Sequence, residues 1–138
     1  MLDLKIVNDY KITEEYRFKY EKQCSCSYCR NYYETFKDKY PQTSKFLKVL
    51  GLDPDYPLEI MLPLYDEPEN QMDYLSFYPV KGSMGEDEIS VSIEGLEIKV
   101  FKGSSKEIPC PKPQMEEPYL LVGISGVILP WILDEDPE

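Results

Sequence analysis

The chain contains no histidine. That excludes Ser-His-Asp and Cys-His catalysis, every histidine-containing zinc site and the commonest general base. Neither common Gly-rich phosphate fingerprint occurs: there is no G-x-x-x-x-G-K-S/T and no G-x-G-x-x-G. The calcium-loop pattern D-x-D-x-D-G is absent too. Met1–Leu2–Asp3 has neither a basic start nor an apolar core, so no secretory leader is expected. The longest apolar run, Tyr119 to Leu133, is shorter than the roughly 20 residues a bilayer needs. Gly123, Gly126 and Pro130 interrupt it, and a buried strand is the expected form. The expected location is therefore the cytoplasm. In that reducing compartment the four cysteines are expected as thiols or metal ligands rather than disulfides.

What is present is acid, tyrosine and proline. The 138 residues carry a net charge of −11, spread unevenly. Residues 1–50 hold ten Lys/Arg against seven Asp/Glu, whereas residues 51–138 hold five against nineteen. A C-terminal part of this sign repels nucleic acid and anionic membrane and suits either solubility or a basic protein partner. Lys99 and Lys102, around Phe101, are too few for a nucleic-acid footprint among so many acids. The acid groups Asp66/Glu67/Glu69 and Glu86/Asp87/Glu88 lie in polar stretches, where solvated surface is the expected role rather than magnesium binding or glycosidase chemistry.

Periodicity predicts an α+β domain over 1–138: two helices in the N-terminal half, packed on a mostly antiparallel sheet of about five to six strands. Leu2, Leu4 and Ile6 alternate with charges, as do Tyr16, Phe18 and Tyr20, and both runs read as strands. Tyr28, Tyr32, Phe36 and Tyr40 recur every four residues, the stripe of a helix that Ser25 or Ser27 would cap and Pro41 would end. A second helix is predicted with Thr43 or Ser44 as cap, Phe46, Leu47, Val49 and Leu50 inward, and Gly51 as its left-handed stop. Leu58–Tyr65 is a strand that Pro63 assigns to an edge or a bulge. Tyr74–Val80 is another, followed by a loop over Lys81–Asp87. Ile89–Ile93 and Leu96–Val100 flank Glu94–Gly95 as a hairpin. Tyr119 onward is the most buried strand, with Trp131 as a core anchor, and Asp134–Glu138 is a frayed tail.

The chemistry gathers at the cysteines. Cys24, Cys26 and Cys29 form C-x-C-x-x-C, and Cys110 stands in a Pro-Cys-Pro setting. Four thiolates make a closed tetrahedral zinc site: two sulfurs from the C-x-x-C turn, one from Cys24 and one from Cys110. The adjoining helix start and Arg30 would help stabilise the thiolates. Iron–sulfur ligation is the weaker metal alternative, and four plain reduced cysteines are the non-functional one.

Cys26-Ser-Tyr-Cys29 at a helix start also resembles the dithiol motif of glutaredoxin-like proteins, which implies thiol–disulfide exchange by Cys26 and Cys29. That resemblance covers four residues. The preceding strand pattern is amphipathic, and neither a Thr-Val-Pro-like segment nor a parallel βαβ start accompanies it. More broadly, CSCSYCRNYYETF, FLKVLGLDPDYPLEI, YLSFYPVKG and GVILPWILDE resemble a group of small uncharacterised bacterial proteins. These carry C-x-C-x-x-C followed by Arg or Lys and then Asn, a helix ending in L-G-I/L-D-P, and a terminal LPW. The resemblance implies a stand-alone bacterial domain and carries no activity with it. The reading that follows is a non-enzymatic cytosolic interaction protein braced by a zinc-binding cysteine cluster. A toxin-neutralising immunity-type protein and a thiol–disulfide oxidoreductase are the alternatives.

Overall fold

The computed structural model of the chain describes residues 6–19, 24–103 and 115–135. The order of elements is β1 (Ile6–Asn8), α1 (Tyr10–Lys19), α2 (Ser27–Lys39), α3 (Pro41–Val49), β2 (Glu59–Asp66), β3 (Gln71–Met84), β4 (Glu88–Ile93), β5 (Leu96–Lys102) and β6 (Tyr119–Pro130). The fold is α+β. The six strands form one sheet in the order β1-β3-β6-β5-β4, with β2 also on β3. Every pairing among them is antiparallel.

The long strand β3 is the spine. Its first half pairs with β2 and its last three residues with β1, on the same edge. Between the two, Phe77 O and both backbone groups of Lys81 bond towards that edge, to Leu58 N, Asp9 N and Thr13 Oγ1. Pro79 has the same parity, so its missing donor falls in the gap between β2 and β1, where no ladder bond is lost.

The alternation of Tyr16 and Phe18 belongs to helix α1, and the strand expected there is corrected. Asp9 caps the helix: its Oδ1 accepts from Ile12 N at 3.1 Å, and its carbonyl accepts from Thr13 N at 3.0 Å. Thr13 and Tyr16 are buried three residues apart, a helical spacing that outweighs the period of two. Tyr20 and residues 1–5 lie outside the described residues, so of the expected first strand only its continuation into β1 is seen.

Tyr32 and Phe36 of α2 and its C-cap Tyr40 are buried as the stripe predicts, and Tyr32 stacks on Phe36 with ring centroids 4.8 Å apart. Neither Ser25 nor Ser27 caps this helix; Cys26 occupies the N-cap and makes no side-chain cap bond. Pro41 both ends α2 and opens α3, where it sits in the first turn. Thr43 and Ser44 therefore lie inside α3 rather than at its cap, and Val49, expected inward, is 65 % exposed. Gly51, with φ +87°, supplies the left-handed stop.

β2 runs along the sheet edge with its register broken between Met61 and Leu64, the irregularity that Pro63 predicts. β3 continues through Met84, beyond the expected end at Val80. In β6 the inward parity changes. Leu120, Val122 and Ile124 face the main core before Gly126, and Val127, Leu129 and Trp131 after it. The register against β3 slips by one residue between Val127 and Ile124, and Gly126 at φ +78° absorbs the bulge.

The hairpin turn Glu94–Gly95 has both residues at positive φ, 54° and 80°. Glycine is at home there and glutamate is not. Glu94 has a second task that accounts for it: its Oε1 accepts from Thr43 N at 2.6 Å and from Thr43 Oγ1 at 3.0 Å. The turn of one hairpin thereby supplies a cap and a negative charge to the first turn of α3.

One further device closes the sheet. β6 outruns β5, whose pairing stops at Ser125. Beyond it Ile128, Pro130 and Ile132 present their backbone to an empty lane. Side chains of α2 and of its C-cap residue occupy that lane. Tyr40 Oη donates to Ile128 O and accepts from Ile128 N, at 3.2 and 3.1 Å. Asn31 Nδ2 donates to Pro130 O and its Oδ1 accepts from Ile132 N, each at 3.0 Å. The helix thus stands in for a strand, satisfying alternate residues as a ladder would.

Candidate metal centre

The start of α2 builds the cysteine cluster. Cys26 is the N-cap, Cys29 is one turn further on, and Cys24 lies two residues before in the incoming chain. The Sγ atoms of all three lie within 4.8 Å of one another. Sulfurs sharing a tetrahedral zinc ion are roughly 3.8 Å apart, from bonds of about 2.3 Å. A small side-chain adjustment brings the trio to that spacing, and Cys24, Cys26 and Cys29 lie close enough to hold a metal ion. Cys110, the expected fourth ligand, lies outside the described residues together with its neighbouring prolines.

Cys24 and Cys26 are exposed and Cys29 is buried. The Cys24 thiol is lowered from its ordinary value, chiefly by a hydrogen bond from the backbone N–H of Cys26; the Glu59 carboxylate opposes the shift weakly. Cys29 is raised, chiefly by burial and then by its hydrogen bonds with Cys24 and Cys26. Burial disfavours the Cys29 thiolate, so a cation held by all three sulfurs would have to displace protons from them.

The loop before α2 is held from the helix. Tyr33 Oη donates to Cys24 O and Arg30 Nε donates to Ser25 O, each at 2.8 Å, while Arg30 N closes the first turn on Cys26 O at 3.0 Å. Arg30 also pairs with Glu135. Its guanidinium is therefore engaged with a carbonyl and a carboxylate. Burial raises the Tyr33 hydroxyl as well, with the cysteines adding to the shift.

The far end of the chain closes over the same helix turn. Trp131 is buried, meets Tyr28 and Tyr65 edge-on at 6.2 and 6.3 Å, and donates from Nε1 to Glu135 O at 2.8 Å. Glu135, placed in the frayed tail by its polarity, is thus tied at both its carbonyl and its carboxylate. Residues 136–138 lie outside the described residues. Tyr33 and Asn31 were missed as supports of the site. Tyr33 is four residues after Cys29 and so on the same helix face, a signal that spacing does contain. Asn31 carries none, because a buried amide is legible only from the strand edge it serves.

Among the described residues no helix is long and apolar enough to cross a membrane. No family model, curated protein or solved structure matches the chain.

Proposed function

We propose that this protein is a non-enzymatic cytosolic interaction domain in which Cys24, Cys26 and Cys29 hold one zinc ion as a structural brace at the start of α2. The convergence of the three sulfurs carries the reading. A chain without histidine offers metal an all-sulfur set, which suits zinc among the common divalent ions. Cys110 is the proposed fourth ligand. The net charge of −11 supports a basic protein partner, of which a toxin held by its immunity protein is one form.

The test is metal content. Protein purified without chelator is expected to carry about one zinc per chain, lost in Cys24→Ser, Cys26→Ser and Cys29→Ser. Less than about a tenth of an equivalent, with all thiols freely reactive, overturns the zinc reading. Retention of zinc in Cys110→Ser would remove Cys110 alone from the ligand set.

Thiol–disulfide exchange is the second reading, favoured by two exposed thiols beside a buried third. Insulin reduction that disappears in Cys26→Ser would establish it, and zinc-blocked, unreactive thiols would exclude it.

A further inference from the structure

The sheet has two edges and an overhanging strand, and all but one are guarded. On one side β2 carries Pro63 and a broken register, and β1 spans three of the described residues. The overhang of β6 is occupied by Tyr40 and Asn31. Short strands, proline, irregularity and cover are the usual protections of an edge. Among the described residues β4 has none of them. It is a six-residue strand, Glu-Ile-Ser-Val-Ser-Ile, in unbroken register with β5, and among the described residues it pairs with β5 alone.

The hairpin fixes which backbone groups are open. Ile93 and Leu96 flank a two-residue turn and form a hydrogen-bonded pair, so Ile89, Val91 and Ile93 bond towards β5. Glu88, Ser90 and Ser92 then direct their N–H and C=O groups outward. No hydrogen bond reaches them from any described residue. On the inner face Ile89, Val91 and Ile93 pack against the core, so the strand is held rigid while its edge stays open.

We propose that the edge of β4 docks an extended segment of a basic partner protein, which adds to the sheet as a further antiparallel strand with cationic residues at both ends. This rests on the interaction-protein reading above and gives it a surface. Charge selects the occupant. Glu86, Asp87 and Glu88 precede or open the strand, and Glu94 and Glu97 follow it. Among the described residues the cations paired with them, Lys99 and Lys102, sit 3.5 Å from Glu97 and Asp87 in exposed pairs that leave the acids in excess. A second copy of this chain is a poor occupant. Antiparallel pairing of β4 with itself must set outward residues opposite one another; centred on Ser90 it places Glu88 opposite Ser92 and Glu86 opposite Glu94, at both ends by symmetry.

The test uses the full chain and a labelled peptide of alternating threonine and valine with two arginines at each end. Anisotropy is expected to show saturable binding, weakened roughly tenfold or more by Ser90→Pro or Ser92→Pro, which remove an outward donor and leave the β5 ladder intact. The same peptide N-methylated on alternate residues keeps its charge and is expected to lose binding to the unaltered protein, so the result does not depend on the folding of the proline variants. A glutamate-flanked peptide is expected not to bind. Absence of binding, or binding indifferent to both the prolines and N-methylation, overturns the edge. In the second case the acidic interaction reading would stand without it. Self-association lost in Ser90→Pro would assign the edge to a second copy and overturn the basic partner. Zinc measured in the same samples reports separately on the cysteine centre.

Discussion

Replacing Asn31 by alanine tests whether α2 truly acts as a surrogate strand. Asn31 is fully buried, and its amide serves Pro130 O and Ile132 N, each at 3.0 Å. The substitution leaves both backbone groups without a protein partner. An orphaned, fully buried group costs about 1–3 kcal/mol. Pro130 and Ile132 belong to exposed residues, so water can reach their backbone and the low end applies. The expected loss is about 2 kcal/mol in total, or about 1 M in the urea midpoint at unchanged slope. Tyr40→Phe keeps the ring in the core and removes only the hydroxyl that serves both backbone groups of Ile128, for a similar loss of about 2 kcal/mol. Because the two side chains hold consecutive outward positions of one strand, the double variant should depart from additivity by about 0.5 kcal/mol or more. Hydrogen exchange supplies the specific readout: the Ile132 amide should lose protection in Asn31→Ala while amides of the β3·β6 ladder keep theirs. A stability change below about 0.5 kcal/mol, or an Ile132 amide that exchanges equally in both proteins, refutes the surrogate-strand account.

Glu94→Ala should cost about 1 kcal/mol by uncapping α3, seen as a lower melting temperature, and Glu94→Gln, which keeps an acceptor, should cost less. Tyr78→Phe deprives the Pro54 carbonyl of a donor at 2.6 Å and the Tyr32 hydroxyl of a neighbour at 2.7 Å, all buried; a loss of about 1–3 kcal/mol by urea unfolding is expected, and a neutral result would place water at Pro54. Tyr32 and Tyr78 are both raised, chiefly by burial, so each holds its proton more tightly when folded. Their contribution is complete below the unfolded tyrosine value near 10 and is lost as pH rises past it. Their phenolate absorbance should therefore appear together with alkaline unfolding, and its appearance in a still-folded chain would contradict their burial.

The sequence made the sheet's centre legible because its strands obey a period of two between strong punctuation. Glu94–Gly95 marked the hairpin, Pro63 marked the irregular edge strand, and Gly51 marked the end of α3. Each rests on a backbone requirement that few residues meet. The failures fall where two patterns compete within a few residues. Tyr16 and Phe18 alternate like a strand, but Asp9 at the cap and Thr13 with Tyr16 inward decide for a helix. The change of inward parity in β6 was hidden because nearly every residue from Tyr119 to Leu129 is apolar, so no polar face marks the phase. Of the candidate site, the three clustered cysteines were legible from spacing alone. The polar supports, Asn31 and Tyr33, were not, since their partners are backbone carbonyls and amides.

The position of the cluster shows what a metal there would do for α2. This helix carries the core stripe and also holds the free lane of β6, yet its own start is weak. Its N-cap residue makes no side-chain cap bond, and there is no acid in its first turn. A helix start normally gains from negative charge there, about 0.3–1 kcal/mol for an exposed site. Cys24, Cys26 and Cys29 occupy the place where that charge belongs. Three thiolates around one divalent ion would leave a net negative site beside the unsatisfied N–H groups and would tie the incoming chain to the first turn. If zinc is the brace, chelation should fray α2 from Cys26 and loosen Tyr28 against Trp131, whose rings meet at 6.2 Å. Trp131 is the sole tryptophan, so a red shift of its emission reports this directly. Helicity should fall in the same step while the β4–β5 hairpin, whose ladder runs between its own two strands, keeps its amide protection. Zinc lost with no change at Trp131 would make the ion a passenger rather than a brace.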